Sequence, residues 1–445
     1  MRFWTGLTGM LMSVALLAGC GGGGSGSSKT AQLRLLNASV GYPSLDLSVN
    51  AVVQNSAVGY GAVGSYGSVT TDAFTNAVSI AGSTNALTTA SRSLSKDTNY
   101  TLVAYGWQGA LKTALIQENV AAAAANQAGL QVLNLAVDAG SVDVYLTGTT
   151  DSLTAASPVA SSVPAGGGSA YNAVGVGTFR LRVTGAGDKN DLRLDVPGFT
   201  LSSTQVAVLV LTPGVASGTA VASGGVLLSG IGLLQAGAST TYANTSSRAR
   251  LVAALTGSAT VGATLGGTDL LSGIAPVVSP AAFNGYVQLA ASSSASLMLN
   301  VNGSPLAMPP QSLAAGADYT LLVWGTPGSP KVTLIPDDNR LPTALGVSKM
   351  RLINAMSGSV LSQLSLIGDQ GVLTTTLVAQ GSASAYFPNL IASGTATANF
   401  QVYSSSTLME NLVTKTILPK SVYTFYMFGD TADSTTWFPL IHLDR

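Results

Sequence analysis

The sequence has little of what catalysis most often uses. Its 445 residues include one cysteine, Cys20, and one histidine, His442. A zinc site needs several histidine or cysteine ligands, so that metal centre is excluded. A single cysteine also excludes an intrachain disulfide, and stability must come from packing. Charge is scarce: 9% of residues are charged, against about 25% in ordinary globular proteins. The 19 basic and 19 acidic residues cancel, which leaves no basic field for nucleic acid. Phosphate-loop and dinucleotide-binding signatures are missing, so no cofactor is implied. Long apolar runs are missing as well. Leu7 to Ala18 is uncharged and small or apolar, but shorter than the about 20 residues a membrane-crossing helix needs.

What is present begins at the amino end. Met1-Arg2-Phe3-Trp4 places a positive charge ahead of that apolar run, and small residues follow it, as in a secretory signal. Leu17-Ala18-Gly19-Cys20 resembles the lipobox of bacterial lipoproteins. The resemblance implies cleavage between Gly19 and Cys20, a diacylglycerol on the Cys20 thiol and acylation of the new amino terminus. Residues 1–19 then form a lipoprotein signal peptide, and residues 20–29 form the lipidated cysteine and a flexible Gly/Ser tether. Two acyl chains hold a membrane firmly where one holds marginally, at about 0.8 kcal/mol per buried methylene. No aspartate follows Cys20. In the enterobacterial sorting pattern that favours the outer membrane over the inner one.

The rest of the chain repeats. "LRLLNAS" from Leu33, "LQVLNLA" from Leu130, "ARLVAAL" from Ala249 and "MRLINAM" from Met350 open four segments at steps of about 100 residues. A second marker follows in the same order: "YTLVAYG" from Tyr100, "YTLLVWG" from Tyr319 and "YTFYMFG" from Tyr423. The second segment offers only "VAVLVLT" from Val206, without the tyrosine or the glycine. Between the markers, short period-two runs such as "LDLSVN" from Leu45 end in Gly, Ser, Asn or Pro, the pattern of strands and turns. Helical periodicity is scarce; "VAAAAANQAG" from Val120 reads equally as a short helix or a linker. The expected fold is all-β, a tandem array of immunoglobulin-like β-sandwiches. Its four units are expected at 30–124, 127–243, 246–346 and 347–445.

"RLLNAS", "DLSVN" and "YTLVAYG" together resemble a family of bacterial secreted modules, domain-of-unknown-function family 4397. The resemblance runs from residue 31 to about 445 in four copies and is clearest in the first, third and fourth. It implies β-sandwich modules, often in tandem in envelope lipoproteins. It supplies no catalytic residues to carry over. Asp46 and Asp143 fit the family's acidic position, where the third unit has Gly262 and the fourth Gln363. An acid replaced so freely reads as a strand-edge or turn residue.

Other candidate positions read as structural. His442, in "PLIHLDR", fits a final strand, and no serine lies in a nucleophile-elbow pattern. "GDKNDLRLD" from Gly187 and "PDDNR" from Pro336 crowd oxygens, but lack the EF-hand spacing that calcium loops use. No metal ligand is assigned. The aromatic pairs Tyr100/Tyr105, Tyr319/Trp324 and Tyr423/Phe428 stand five positions apart. Odd spacing sends one ring into the sandwich core and the other outward, onto a neighbour or into solvent. Trp107 reads as an exposed contact.

The expectation is therefore a noncatalytic cell-envelope protein held on the membrane by its lipid. Its string of sandwich modules would serve scaffold, adhesion or binding roles towards an envelope protein or glycan. The alternative is an envelope glycan-acting enzyme, which needs paired carboxylates across one cleft.

Overall fold

A computed structural model describes residues 29–214, 227–275, 284–342, 347–358, 361–368, 371–391, 394–403 and 408–445. Gly19, Cys20 and the tether to Ser28 lie outside the described residues. The described residues form strands, turns and loops, and none of them is helical. The alanine-rich stretch is a linker: the Val120 N–H donates to Gln235 Oε1 at 2.9 Å, and its carbonyl accepts from Gln235 Nε2 at 2.8 Å.

The first unit shows the plan. Its strands are β1 (Thr30–Ala38), β2 (Ser44–Val49), β3 (Val52–Gly59), β4 (Gly67–Thr70), β5 (Phe74–Ile80), β6 (Ala86–Arg92), β7 (Asn99–Trp107) and β8 (Ala110–Gln117). They make two four-stranded sheets, ordered β4-β1-β7-β8 and β3-β2-β5-β6. β1 and β7 run parallel, with Arg34 opposite Thr101, and every other neighbour is antiparallel. The layers are those of an immunoglobulin-like sandwich, while this strand order is set by the parallel central pair.

That pair recurs in each unit. Gln127–Asn134 pairs in parallel with Val206–Pro213, Ser246–Leu255 with Asp318–Thr326, and Val347–Ser357 with Val422–Asp430. A second sheet packs on each first one. In the second unit "GVLLSGIGLLQAG" supplies the buried strand Leu228–Leu234, and an extra strand, Ser239–Tyr242, covers its edge.

Alternation explains the inner faces. Leu33, Leu35, Tyr100 and Leu102 point into the first core with Leu45 and Leu47. Burial of each such side chain contributes about 1.5–3 kcal/mol. Each tyrosine of the "YT" marker also fixes the corner before its strand. Tyr100, Tyr319 and Tyr423 accept backbone N–H bonds from Ser95, Ala314 and Leu418 at 3.1, 3.0 and 2.9 Å. Buried asparagines of the opening motif tie the two sheets together. Asn37, Asn134 and Asn354 donate from Nδ2 to the carbonyls of Val58, Val163 and Val378 at 3.1, 3.1 and 2.9 Å.

The outer faces of the parallel pairs are apolar too, and they meet. Leu36, Val103 and Tyr105 pack against Val208, Val210 and Ile231. Leu322 and Trp324 pack against Ile353, Tyr426 and Phe428. The sandwiches thus stack one on two and three on four. Tyr105, Trp324 and Phe428, the second ring of each aromatic pair, lie in these seams. Trp107 departs from the reading as an exposed contact: it is buried, with the Arg340 guanidinium 5.3 Å above its ring. The two stacks touch there, and again where Arg445 pairs with Asp138 at 2.7 Å.

Candidate functional site

The acids at the family position are backbone staples. Asp46 lies opposite a bulge in β3, where the register shifts between Leu45 and Leu47. One carboxylate oxygen accepts from the Ala57 N–H at 2.6 Å, the other from the Gly82 N–H at 2.8 Å. Asp143 repeats this with Ser162 at 2.7 Å and Gly187 at 2.9 Å. Ala57 and Ser162 both have left-handed φ, 52° and 51°, which a non-glycine residue holds only with support. The third unit reaches the same backbone without the acid. Gly273 has φ 67°, and a Cβ on Gly262 would lie 3.1 Å from the Leu271 carbonyl. Asp46→Ala is accordingly expected to cost about 0.5–1.5 kcal/mol, the usual net worth of a hydrogen bond, since water can reach the exposed Ala57 and Gly82. Adding Ala57→Gly should recover part of that in thermal melting. A melt unmoved by Asp46→Ala removes the staple.

A larger polar cluster lies on the outer face of the parallel pair in the first, third and fourth units. In the first unit Arg34 donates from Nε to Thr101 Oγ1 at 2.8 Å and from Nη2 to both Glu118 oxygens at 3.0 and 2.9 Å. Thr101 and Tyr66 also donate to Glu118, and the Arg34 guanidinium sits 4.4 Å above the Tyr66 ring. The third unit has Arg250, Thr320, Asp337 and Tyr286 in these places, and the fourth has Arg351, Thr424, Asp444 and Tyr386. The second unit has Gln131, Val208 and Gln235, with no charge.

The clusters bridge units. Arg34 donates across the seam to the carbonyls of Gly237 at 2.6 Å and Leu234 at 3.2 Å, and Glu118 accepts from the Ala236 N–H at 2.9 Å. Between units three and four the acids are exchanged. Arg250 pairs with Asp444 at 2.7 Å, and Arg351 pairs with Asp337. Each arginine keeps its own unit's threonine, Arg250 Thr320 at 2.9 Å and Arg351 Thr424 at 3.2 Å. Burial alone favours a neutral Asp337, but Arg351 and Arg250, with bonds from Tyr286 and Thr320, hold its pKa below the ordinary value. Asp318, beside them, is pushed up by burial despite its pair with Arg248 at 2.9 Å.

The fold gathers Asp318, Asp337 and Asp444 around three arginines, Arg248, Arg250 and Arg351. The signal lies in the arginine of the opening motif, the threonine of "YT" and the acid at the end of the last strand, Glu118, Asp337 and Asp444. Each of these carboxylates is buried and answered by cationic or hydroxyl donors. The arrangement therefore fixes which faces meet. Removing one partner of such a buried pair costs far more than the intact pair contributes.

The remaining candidates are also occupied. Asp188 accepts from the Asn190 N–H at 2.9 Å, Asp191 pairs with Arg193, and Asp338 pairs with Arg340 at 2.6 Å and Lys349 at 3.0 Å. No group of three or more metal-ligating side chains occurs among the described residues. His442 lies in the strand Asp433–Leu443, with Nε2 3.9 Å from Asp444. Burial pushes its pKa down to about 4, against the pull of Asp444. A base whose native pKa lies below its unfolded value of about 6.5 binds protons more tightly in the unfolded chain. Its stability contribution is full above about 6.5 and falls, by at most about 1.4 kcal/mol per unit, as the pH drops towards about 4. Unfolding titrations should show this slope in the natural chain and a flatter one in His442→Gln. Equal slopes rule the histidine out as its source.

The fold and these seams define a β-sandwich protein of repeated modules. Residues 31–145 match the family described as Domain of unknown function (DUF4397), so this stretch is a DUF4397-like module. Among solved structures, the Bacillus anthracis TIE protein is similar at 10% identity over 90% of this chain and 69% of that one, with a TM-score of 0.15. No curated protein matches.

Proposed function

We propose that this chain is a noncatalytic, lipid-anchored protein of the cell envelope, whose stacked sandwich units serve as a scaffold and binding module. One observation carries the reading: the fold spends its gathered carboxylates on arginines at the seams, notably Asp337 and Asp444. A glycosidase needs one carboxylic acid and one carboxylate facing each other across a substrate cleft. Leu17-Ala18-Gly19-Cys20 supports the anchor, and Gly21 supports the outer membrane over the inner one.

The test is metabolic labelling with radioactive palmitate followed by membrane fractionation. Cys20→Ser is expected to abolish labelling and release the protein; labelling that persists sinks the anchor. Purified protein should show no turnover on ester, peptide and glycoside panels. Turnover that disappears in Asp46→Asn or Asp143→Asn favours the envelope glycan-acting enzyme instead.

A further inference from the structure

The strand that follows each parallel pair flanks the first sheet of its unit, and the four units differ in how its outer side is closed. Glu118 donates its N–H to the Asn99 carbonyl, and bonded pairs alternate along an antiparallel ladder. In β8 the backbone groups of Thr113, Leu115 and Gln117 therefore face away from β7, on the free edge. The same register in the second unit puts Gly230, Gly232 and Leu234 on its edge, and there the chain supplies its own partner. Ser239–Tyr242 pairs antiparallel, with Gly230 opposite Tyr242 and Gly232 opposite Thr240.

The third and fourth units close their edges with proline. Pro336 stands opposite Tyr319 as Gln117 stands opposite Tyr100, and Pro330 lies on the same edge six residues earlier. Pro439 stands opposite Met427 as Thr113 stands opposite Ala104. A proline there has no N–H to offer an incoming strand, a common way to block edge pairing.

The first unit has neither device. β8 carries no proline, and among the described residues it pairs only with β7. Its residues 114–117 line a cleft of about 380 Å³ whose far wall is Gly166–Gly168 and Tyr171 of the second unit.

From this contrast we infer that the β8 edge is a strand-accepting site, filled by an extended polypeptide segment of a partner protein. The segment adds antiparallel to β8, as Ser239–Tyr242 adds to Leu228–Leu234. Its backbone bonds Thr113, Leu115 and Gln117, which is recognition by sheet extension. The inference names the partner class for the binding role proposed above, and it is independent of the lipid anchor.

A fluorescent peptide of residues 237–244, Gly-Ala-Ser-Thr-Thr-Tyr-Ala-Asn, serves as the probe, titrated into the purified chain in solution. Saturable binding is expected, with slowed amide exchange at Leu115 and Gln117. Gln117→Pro, which copies the third unit's own Pro336, should weaken binding at least about tenfold without moving the melting temperature. Thr113→Pro, which copies Pro439, is the second block should the first variant fail to fold. No saturation by about 1 mM, or binding that both prolines leave intact, overturns the site. Self-association of the purified chain that either proline abolishes also overturns it, because the edge then belongs to a second copy. Failure here leaves palmitate labelling of Cys20 untouched, so the two readings fall separately.

Discussion

Asp337→Ala is expected to be among the most damaging single substitutions in the chain, lowering the stability of the third and fourth units by about 3–5 kcal/mol. The alanine removes the acid of Arg351 and a neighbour of Arg250, whose distance to Asp337 is 3.8 Å. Both guanidinium groups are almost fully buried. A buried charge without its partner keeps the cost of leaving water and loses what offset it. Urea unfolding followed by tryptophan fluorescence should show the loss, since Trp324 and Trp437 report on these units. A chain combining Arg250→Met, Arg351→Met, Asp337→Leu and Asp444→Leu should regain most of it, because apolar side chains of similar size replace such networks at little cost. A loss below about 1 kcal/mol for Asp337→Ala, the worth of an exposed pair, shows that water reaches the cluster and ends the interlock argument.

Trp324→Ala should cost a comparable amount, about 3–5 kcal/mol, the usual range for deleting a buried large aromatic ring. Trp324 fills the seam between units three and four and donates from Nε1 to Thr333 Oγ1 at 3.0 Å. Its ring rests on the backbone of Gly381, where an added Cβ would lie 2.3 Å from the indole and φ is 67°. Gly381→Ala therefore attacks the same contact from the other side and should also destabilise the stack. Denaturation monitored by circular dichroism measures both. If Trp324→Ala costs no more than an exposed substitution, the seam contributes nothing to stability and the units stack for another reason.

Much of the fold was legible because its strands obey simple periods. "LDLSVN" alternates and becomes a strand with one face in the core. "YTLVAYG" does not alternate, and that is itself informative: a strand buried on both faces reads as a continuous apolar run. The five-residue spacing of Tyr319 and Trp324 placed the rings on opposite faces, one in the core and one in the seam. Less legible was anything that depended on two distant strands meeting. Arg250 and Asp444 are 194 positions apart in the sequence, and no period links them; only the parallel pairing of Arg250 with Thr320 and the stacking of whole units bring them together. Trp107 was misread for the same reason, since its cover, Arg340, comes from the far end of the third unit.

The two seams differ in where their carboxylates sit: Glu118 answers the arginine of its own unit, while Asp337 and Asp444 answer the arginine of the opposite one. Arg34 grips the second unit through main-chain carbonyls at Leu234 and Gly237, groups that every residue carries. Substitutions in the second unit's side chains therefore leave this grip intact. That unit has Gln131, Val208, Gln235 and Ala207 where the first has the arginine, the threonine, the acid and the marker tyrosine. Units three and four exchange side-chain charges, so a change in either arginine must be matched by a change in the opposite acid. The exchanged charges thus tie single side chains of the last two units to one another, whereas Arg34 asks of the second unit only backbone that any residue supplies.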